Sequence, residues 1–330
     1  MRRHQSKFEL LVTMLLVLSC TSEVTAEQKV PSEFKHNKVF VTPTTHSGVK
    51  LYLHTDTGGG GNVLAKNKNT ELIVDESLIQ STGPDGRTFK TIPIPSWQKN
   101  NNFPLVKSIK NNKFILLEKE HWAFSGIDGQ LGNTWFAGNI WKFDYINDEL
   151  STLTRKEAIK YKELPSTKTA HLSFKTDNNG ERVNNFPRMF ITVDQTKLPV
   201  LLDTGATTFI NVEDQTEAKP MISKVGTSFI TESIYRQWQS KHSNWQTRFE
   251  EYKGMRFEMI EVPSIEIAGF KTGPVWFTMK PDANFHQYMS SMMADHVEGA
   301  IGGSAFQYFS MVINYPNAEV SFTQPPKILK

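Results

Sequence analysis

Apolar and polar residues alternate with period two along much of this chain, in short runs closed by polar turn residues. Lys38-Val39-Phe40-Val41 and Val49-Lys50-Leu51-Tyr52-Leu53 flank a turn at His46-Ser47-Gly48. Arg188 to Val193 and Leu198 to Leu202 flank a second turn at Asp194 to Lys197. Such alternation predicts two β-hairpins. Helical spacing is scarce. Thr227-Ser228 followed by Phe229, Ile230, Ile234 and Trp238 on one stripe predicts a capped amphipathic helix. Shorter helices are expected over Thr154 to Lys162 and Asn284 to Met293. Together with abundant Asn, Thr, Phe and Val, the pattern predicts a mainly β protein with few short helices.

Both predicted hairpins run into the same tripeptide, Asp56-Thr57-Gly58 and Asp203-Thr204-Gly205. One given tripeptide arises by chance in roughly 4% of chains this long, and twice in about one chain per thousand. A second pattern is also duplicated. GQLGNTWFAGNIWKFDYINDEL (Gly129 to Leu150) aligns without a gap on GAIGGSAFQYFSMVINYPNAEV (Gly299 to Val320). Gly132 then matches Gly302, Asp144 matches Asn314, Tyr145 matches Tyr315 and Asn147 matches Asn317. The offset is 147 residues from Asp56 to Asp203 and 170 from Gly132 to Gly302, so the second half carries 23 extra residues between its motifs. Two copies mean two lobes, not a repeat array. The lobes are expected at residues 36–152 and 169–330, joined by a charged linker at 153–168 that contains Pro165. The extra length is expected in Glu213 to Trp245.

Composition narrows the setting. The net charge of +3 comes from interspersed acids and bases, without the basic stripe of a nucleic-acid binder. Met1-Arg2-Arg3 and the apolar run Leu10 to Leu18 read as an export signal over residues 1–26, too short to span a bilayer. Two exits are open. Val24-Thr25-Ala26 is a small-residue cleavage site, and Val17-Leu18-Ser19-Cys20 resembles the bacterial lipobox, which would make Cys20 a lipid-bearing first residue. Cys20 is the only cysteine, so no intramolecular disulfide forms. The expectation is an exported bacterial protein, periplasmic or lipid-anchored.

The duplicated loops resemble those of the aspartic peptidase superfamily, which includes pepsins and retroviral proteases. LLDTGA (Leu201 to Ala206) matches the retroviral form of the loop, and Leu131-Gly132 and Ile301-Gly302 look like the apolar-Gly element beneath it. The resemblance covers most of the chain after the signal and implies a bilobal, acid-protease-like pair of β-barrels. It also implies an aspartic endopeptidase with Asp56 and Asp203 as the catalytic pair and a polypeptide substrate. Gly58 and Gly205 are expected to allow a tight turn with unusual backbone angles. Thr57 and Thr204 are expected to hydrogen-bond across to the opposite loop. Two carboxyls about 3 Å apart cannot both ionise easily, so one pKa rises and the pair shares a proton. Neither metal nor organic cofactor is required, and a monomer is expected over a homodimer.

Lobe one departs from the pattern. LHTDTGGGG (Leu53 to Gly61) puts His54 and Thr55 where apolar residues are usual, and a cationic His54 would lower the pKa of Asp56. Between Asp56 and Gly129 there is no Tyr to serve as a flap residue, so Arg87 to Trp97 is the candidate flap, with Trp97 covering the cleft. Tyr288 and Met289 are further cleft candidates; methionine suits adaptable surfaces, and core packing is the other use of that stripe. Other chemistry fits poorly. Gly58 to Gly61 lacks the Gly-Lys-Ser/Thr of a phosphate loop, Gly302-Gly303-Ser304-Ala305-Phe306 is not a nucleophile elbow, and His286 and His296, ten residues apart, have no metal-motif spacing. Two alternatives remain. One is a non-catalytic peptide-binding or ligand-binding lipoprotein on a degenerate protease fold; the other is a homodimer in which Asp203 pairs with its own copy.

Overall fold

The computed structural model describes residues 27–73, 79–82, 88–99, 103–104, 113–118, 126–212 and 221–325. Cys20 and the whole expected signal lie outside the described residues, as does Arg87 at the start of the candidate flap. The chain is mainly β, and the described strands form three large sheets and one separate hairpin. Among the described residues no helix is long and apolar enough to cross a membrane.

Two of the sheets, of eight and nine strands, share a run of seven strands in the same order, beyond which the first adds Ser32–Lys35 and the second Ile265–Ile267 and Phe270–Thr272. In the first half the order is Lys38–Val41, Leu53–Thr55, Gly129–Leu131, Val63–Ala65, Lys113–Leu117, Thr88–Pro93, Ile79–Thr82. In the second half it is Arg188–Val193, Thr196–Leu202, Gly299–Ile301, Ser228–Thr231, Val275–Lys280, Met255–Val262, Thr247–Tyr252. Strand directions match as well. Leu53 lies beside Gly129 in a parallel pair, and Val200 lies beside Gly299 in its counterpart. Each duplicated glycine is required by this packing. A Cβ on Gly129 would strike the Val63 carbonyl, and one on Gly299 the Phe229 carbonyl.

The third sheet joins the halves. Its order is Gln28–Lys29, Glu149–Thr152, Ile140–Asp144, Ser310–Asn314, Glu319–Thr323, Thr167–His171. Its two central strands pair antiparallel, with Lys142 opposite Val312, residues separated by the repeat offset of 170. The local two-fold axis therefore passes through that pair. Turn chemistry is duplicated too. Asp144 accepts from the N–H groups of Ile146 and Asn147, and Asn314 accepts from that of Asn317. Tyr145 and Tyr315 are buried at matching places in one continuous apolar core.

Three details differ from expectation. The turn between the second-half strands is tighter than Asp194 to Lys197: Asp194 and Gln195 alone make it, both at positive φ, and Thr196 and Lys197 already pair with Val193 and Thr192. The predicted helix at Phe229 begins later. Ser228–Thr231 is a strand held between two neighbours, and only Glu232–Lys241 is helical. Phe229 and Ile230 gain more from a two-sided β site than from a helix stripe. The extra length begins earlier than the expected Glu213, although it overlaps the expected stretch. Asp56 to Leu64 is 8 residues and Asp203 to Ile230 is 27, with Leu64 and Ile230 equivalent in the sheets, so 19 of the 23 extra residues follow Asp203 directly. They form a hairpin, Thr207–Val212 paired with Met221–Gly226. The expected linker contains the helix Arg155–Lys162, capped by Thr154 and Glu157 in a reciprocal box.

The base of the inserted hairpin grips the first half. His36 and Asn37 form a tight turn at positive φ, and the Gly226 N–H donates to the His36 carbonyl at 2.7 Å. A Cβ on either Gly226 or Gly303 would collide with the Asn37 carbonyl. Gly303→Ala is expected to destabilise the protein by about 1–3 kcal/mol, read as a lower urea midpoint. Gly254→Ala, in open space but at positive φ, serves as the comparison for backbone strain without collision.

Candidate active site

Each Asp-Thr-Gly loop hangs from the end of a strand and is steadied by the strand beside it. The Asp56 N–H donates to the Leu131 carbonyl and the Asp203 N–H to the Ile301 carbonyl, both at 2.9 Å. Beneath the loops, Gly132 donates to Asn62 Oδ1 and Gly302 to Ser228 Oγ, both at 3.1 Å. Asn133 adds a side-chain bond to the Gly59 carbonyl at 2.8 Å.

The loops are tied to each other through their threonines. The Thr57 hydroxyl donates to the Leu202 carbonyl at 2.8 Å and accepts from the Thr204 N–H at 2.9 Å. In return the Thr57 N–H donates to the Thr204 hydroxyl at 3.2 Å. Both threonines are fully buried. Bonds in a buried setting are not exchanged with water, so this knot sets the spacing of the loops tightly.

That spacing brings Asp56 and Asp203 together, close enough for each carboxyl to act on the other. Gly58 and Gly205 act by close approach. A Cβ on Gly58 would stand 2.5 Å from the Asp203 carboxyl carbon, and one on Gly205 would collide with the Asp56 carboxyl. The expected unusual backbone angles are not found, since neither glycine has a positive φ. Asp203 is 8% exposed and Asp56 somewhat more, so the pair is recessed but reachable. Desolvation raises both carboxyls. Asp56 is raised well above the usual range, with the neighbouring Asp203 charge adding to the effect. Asp203 is also raised by desolvation, but N–H groups of Gly205, Gly58 and Ala206 oppose it. Desolvation and mutual repulsion therefore push the protonation of the pair as a whole towards higher pH.

Behind Asp56 lies a group of cations that sequence reasoning missed. Lys38, 1% exposed, is brought down to about 7 by burial and by Lys224, while Asp56 pulls the other way. Lys224 comes from the inserted hairpin, opposite Phe209. His54 is buried and held neutral by desolvation and by both lysines. A cationic His54 acting on Asp56 is thus ruled out by its surroundings. The available signal was a lysine inside an otherwise apolar strand two residues before Phe40, which pairs with His54.

The remaining candidates are dispersed. Trp97 packs edge-on to Phe103, which stacks on Trp135, in the aromatic core of the first half. The candidate flap contributes the strand Thr88–Pro93, placed between Ile79–Thr82 and Lys113–Leu117. Met289 packs with a small apolar cluster that includes Phe186, whose ring tip would lie 3.8 Å from a Cβ on Gly60. Tyr288, on the same helical turn, is 67% exposed.

No protein-family model matches the chain, and no curated protein matches it. Among solved structures it is similar to an aspartic proteinase from Irpex lacteus, over 91% of this chain and 98% of that one, at 12% identity and a TM-score of 0.49. The functional case rests on the loops themselves.

Thr57→Val keeps the shape of the side chain and removes its hydroxyl. It orphans the Leu202 carbonyl and the Thr204 N–H, at about 1–3 kcal/mol for each buried group. Chemical denaturation is expected to show that loss, and Thr57→Ser is expected to restore most of it.

Proposed function

We propose that the chain is an aspartic-type peptidase whose single active site is the pair Asp56 and Asp203. The observation that carries this reading is the meeting of two desolvated carboxyls on cross-tied loops. One carboxyl of the pair, ionised, takes a proton from an attacking water while the other, protonated, donates to the oxygen of the scissile carbonyl. Oxygen–carbon bond formation gives a tetrahedral diol. Its collapse returns a proton to the leaving amide nitrogen, breaks the carbon–nitrogen bond and restores one proton on the pair.

The window of activity follows from the single proton that the pair must hold. Activity falls at low pH when the pair takes up a second proton, and at high pH when it gives up its one. A homodimer built on Asp203 alone is disfavoured, because Asp203 already faces Asp56 within one chain. A polypeptide substrate suits a recessed carboxyl pair whose first loop, at Gly60, runs past Phe186 of an apolar cluster that also holds Met289. Export is part of this reading and rests on residues 1–26 alone; N-terminal sequencing of the secreted chain tests it, and an intact Met1 would sink it.

Digestion of a denatured-protein mixture, followed by mass spectrometry across pH, is the direct test. Asp56→Asn and Asp203→Asn are each expected to abolish cleavage. Survival of activity in Asp56→Asn would transfer the chemistry to a dimer, and no cleavage by the wild type would leave a binding protein.

Stability should move the opposite way. A carboxyl with a raised folded pKa costs stability as pH climbs from its ordinary value near 3.8 towards the folded one, because the folded state then holds the extra proton. Asp56→Asn removes that cost. Its melting temperature relative to wild type is expected to rise across that interval and to hold the gain at neutral pH, with no advantage in strong acid.

A further inference from the structure

Apart from the carboxyl pair, the described residues hold one convergent group of metal-ligating side chains: His286, His296 and Glu298. His286 Nε2 lies 2.8 Å from Glu298 Oε2, and His296 Nε2 lies 2.7 Å from Glu298 Oε1. The ligand atoms of all three are within 4.8 Å of one another. The imidazole rings tilt towards each other with centroids 4.6 Å apart. Two imidazole nitrogens and a carboxylate are a zinc-type donor set, and tetrahedral zinc with three protein ligands leaves its fourth position open.

The local structure holds these residues in place before anything binds. His286 sits on the turn Asn284–Met289, which is wound as a π-helix, a form found mostly as single turns at functional sites. His296 and Glu298 lie on the segment that leads into the Gly299–Ile301 strand. The His296 carbonyl accepts from the buried Arg188 at 2.9 Å, and the Val297 N–H donates to Ser290 Oγ at 3.0 Å. The backbone of Glu298 is fixed on both sides, donating to the Pro199 carbonyl and accepting from the Thr231 N–H.

Thr231 supplies a further sign. It occupies the N-cap of the Glu232–Lys241 helix, where a threonine hydroxyl ordinarily accepts from the first turn, yet it makes no such bond. Its hydroxyl donates instead to Glu298 Oε2 at 2.9 Å, and Asp282 caps the helix through the Ser233 N–H. A hydroxyl that orients a ligating carboxylate is a usual outer partner of a metal site. Access is open on the other side, with the side chains of His286 and His296 32% and 45% exposed and that of Glu298 19% exposed.

We propose that His286, His296 and Glu298 form a binding site for a divalent transition-metal ion of the zinc type, separate from the Asp56–Asp203 pair. Each imidazole offers Nε2 and carries its proton on Nδ1, and any proton between Nε2 and the carboxylate is released on binding. The ion bridges the π-turn to the Glu298 segment. It thereby fixes the helix whose Phe285 and Met289 belong to the apolar cluster with Phe186. The inference does not depend on the peptidase reading.

The test is calorimetric titration of the chelator-stripped full chain with Zn2+, with Ca2+ as the contrasting hard ion. One Zn2+ per chain is expected at pH 7.5, with no comparable Ca2+ binding, with loss of affinity as pH falls through the imidazole range, and with a raised melting temperature in Zn2+. His286→Asn with His296→Asn is expected to abolish binding. Thr231→Val, which keeps every ligand, is expected to weaken it about 10- to 100-fold. Circular dichroism checks that each variant is folded, and the threonine variant carries the test if the double variant is not. A wild-type titration indistinguishable from that of the double variant, or Zn2+ binding unchanged by Thr231→Val and Glu298→Gln, would overturn the proposal and leave a hydrogen-bonded His–Glu–His cluster.

Discussion

The reciprocal hydrogen bonding of Thr57 and Thr204 is the constraint on which the rest of the site depends. Each loop is only a strand-terminal turn on its own. Joined through two hydroxyls and two N–H groups, with no water to compete, they hold two carboxyls closer than mutual repulsion would otherwise allow. The glycines serve the same end, since a side chain at Gly58 or Gly205 would occupy the space of the opposite carboxyl. The closeness of Asp56 and Asp203 is therefore a consequence of loop spacing, and loop spacing is a consequence of the knot.

How much of this was legible depends on the range of the interaction. The two hairpins, the duplicated tripeptide and the duplicated Gly element are local patterns, and each reads directly from residue order. Their meeting across a two-fold axis could be expected only from the duplication itself. The first strand of the inserted hairpin was missed although Thr207 to Val212 is a run of Thr, Phe, Asn, Ile and Val that suits a strand. Attention to the stripe at Phe229 and Trp238 moved the expected insertion downstream and turned Ser228–Thr231 into helix, because the two sheet partners of that strand lie 40 or more residues away. Lys38 and the pairing of His286 with His296 were invisible for the same reason. Their neighbours are set by tertiary packing, and the ten-residue spacing of the histidines belongs to no local motif.

The joining sheet gives the two halves a shared spine. With Lys142 and Val312 on the axis and a hairpin on either side, relative movement of the halves has to bend six hydrogen-bonded strands. The turn at His36 and Asn37, seated between Gly226 and Gly303, adds a second point of attachment away from that sheet. The carboxyl pair is thus held by a knot at its centre, a sheet below and a wedge at the side, and it tolerates desolvation that would separate two free acids.

The hairpin inserted after Asp203 has no counterpart after Asp56, and it carries Lys224 towards Lys38. In a dyad made of two identical halves, either acid can begin the reaction, and a bound chain can lie in either direction with equal energy. Here one half has acquired an arm and the other half the buried amine that the arm's charge acts upon. The duplicated fold has become handed: its two acids no longer sit in equivalent electrostatic surroundings.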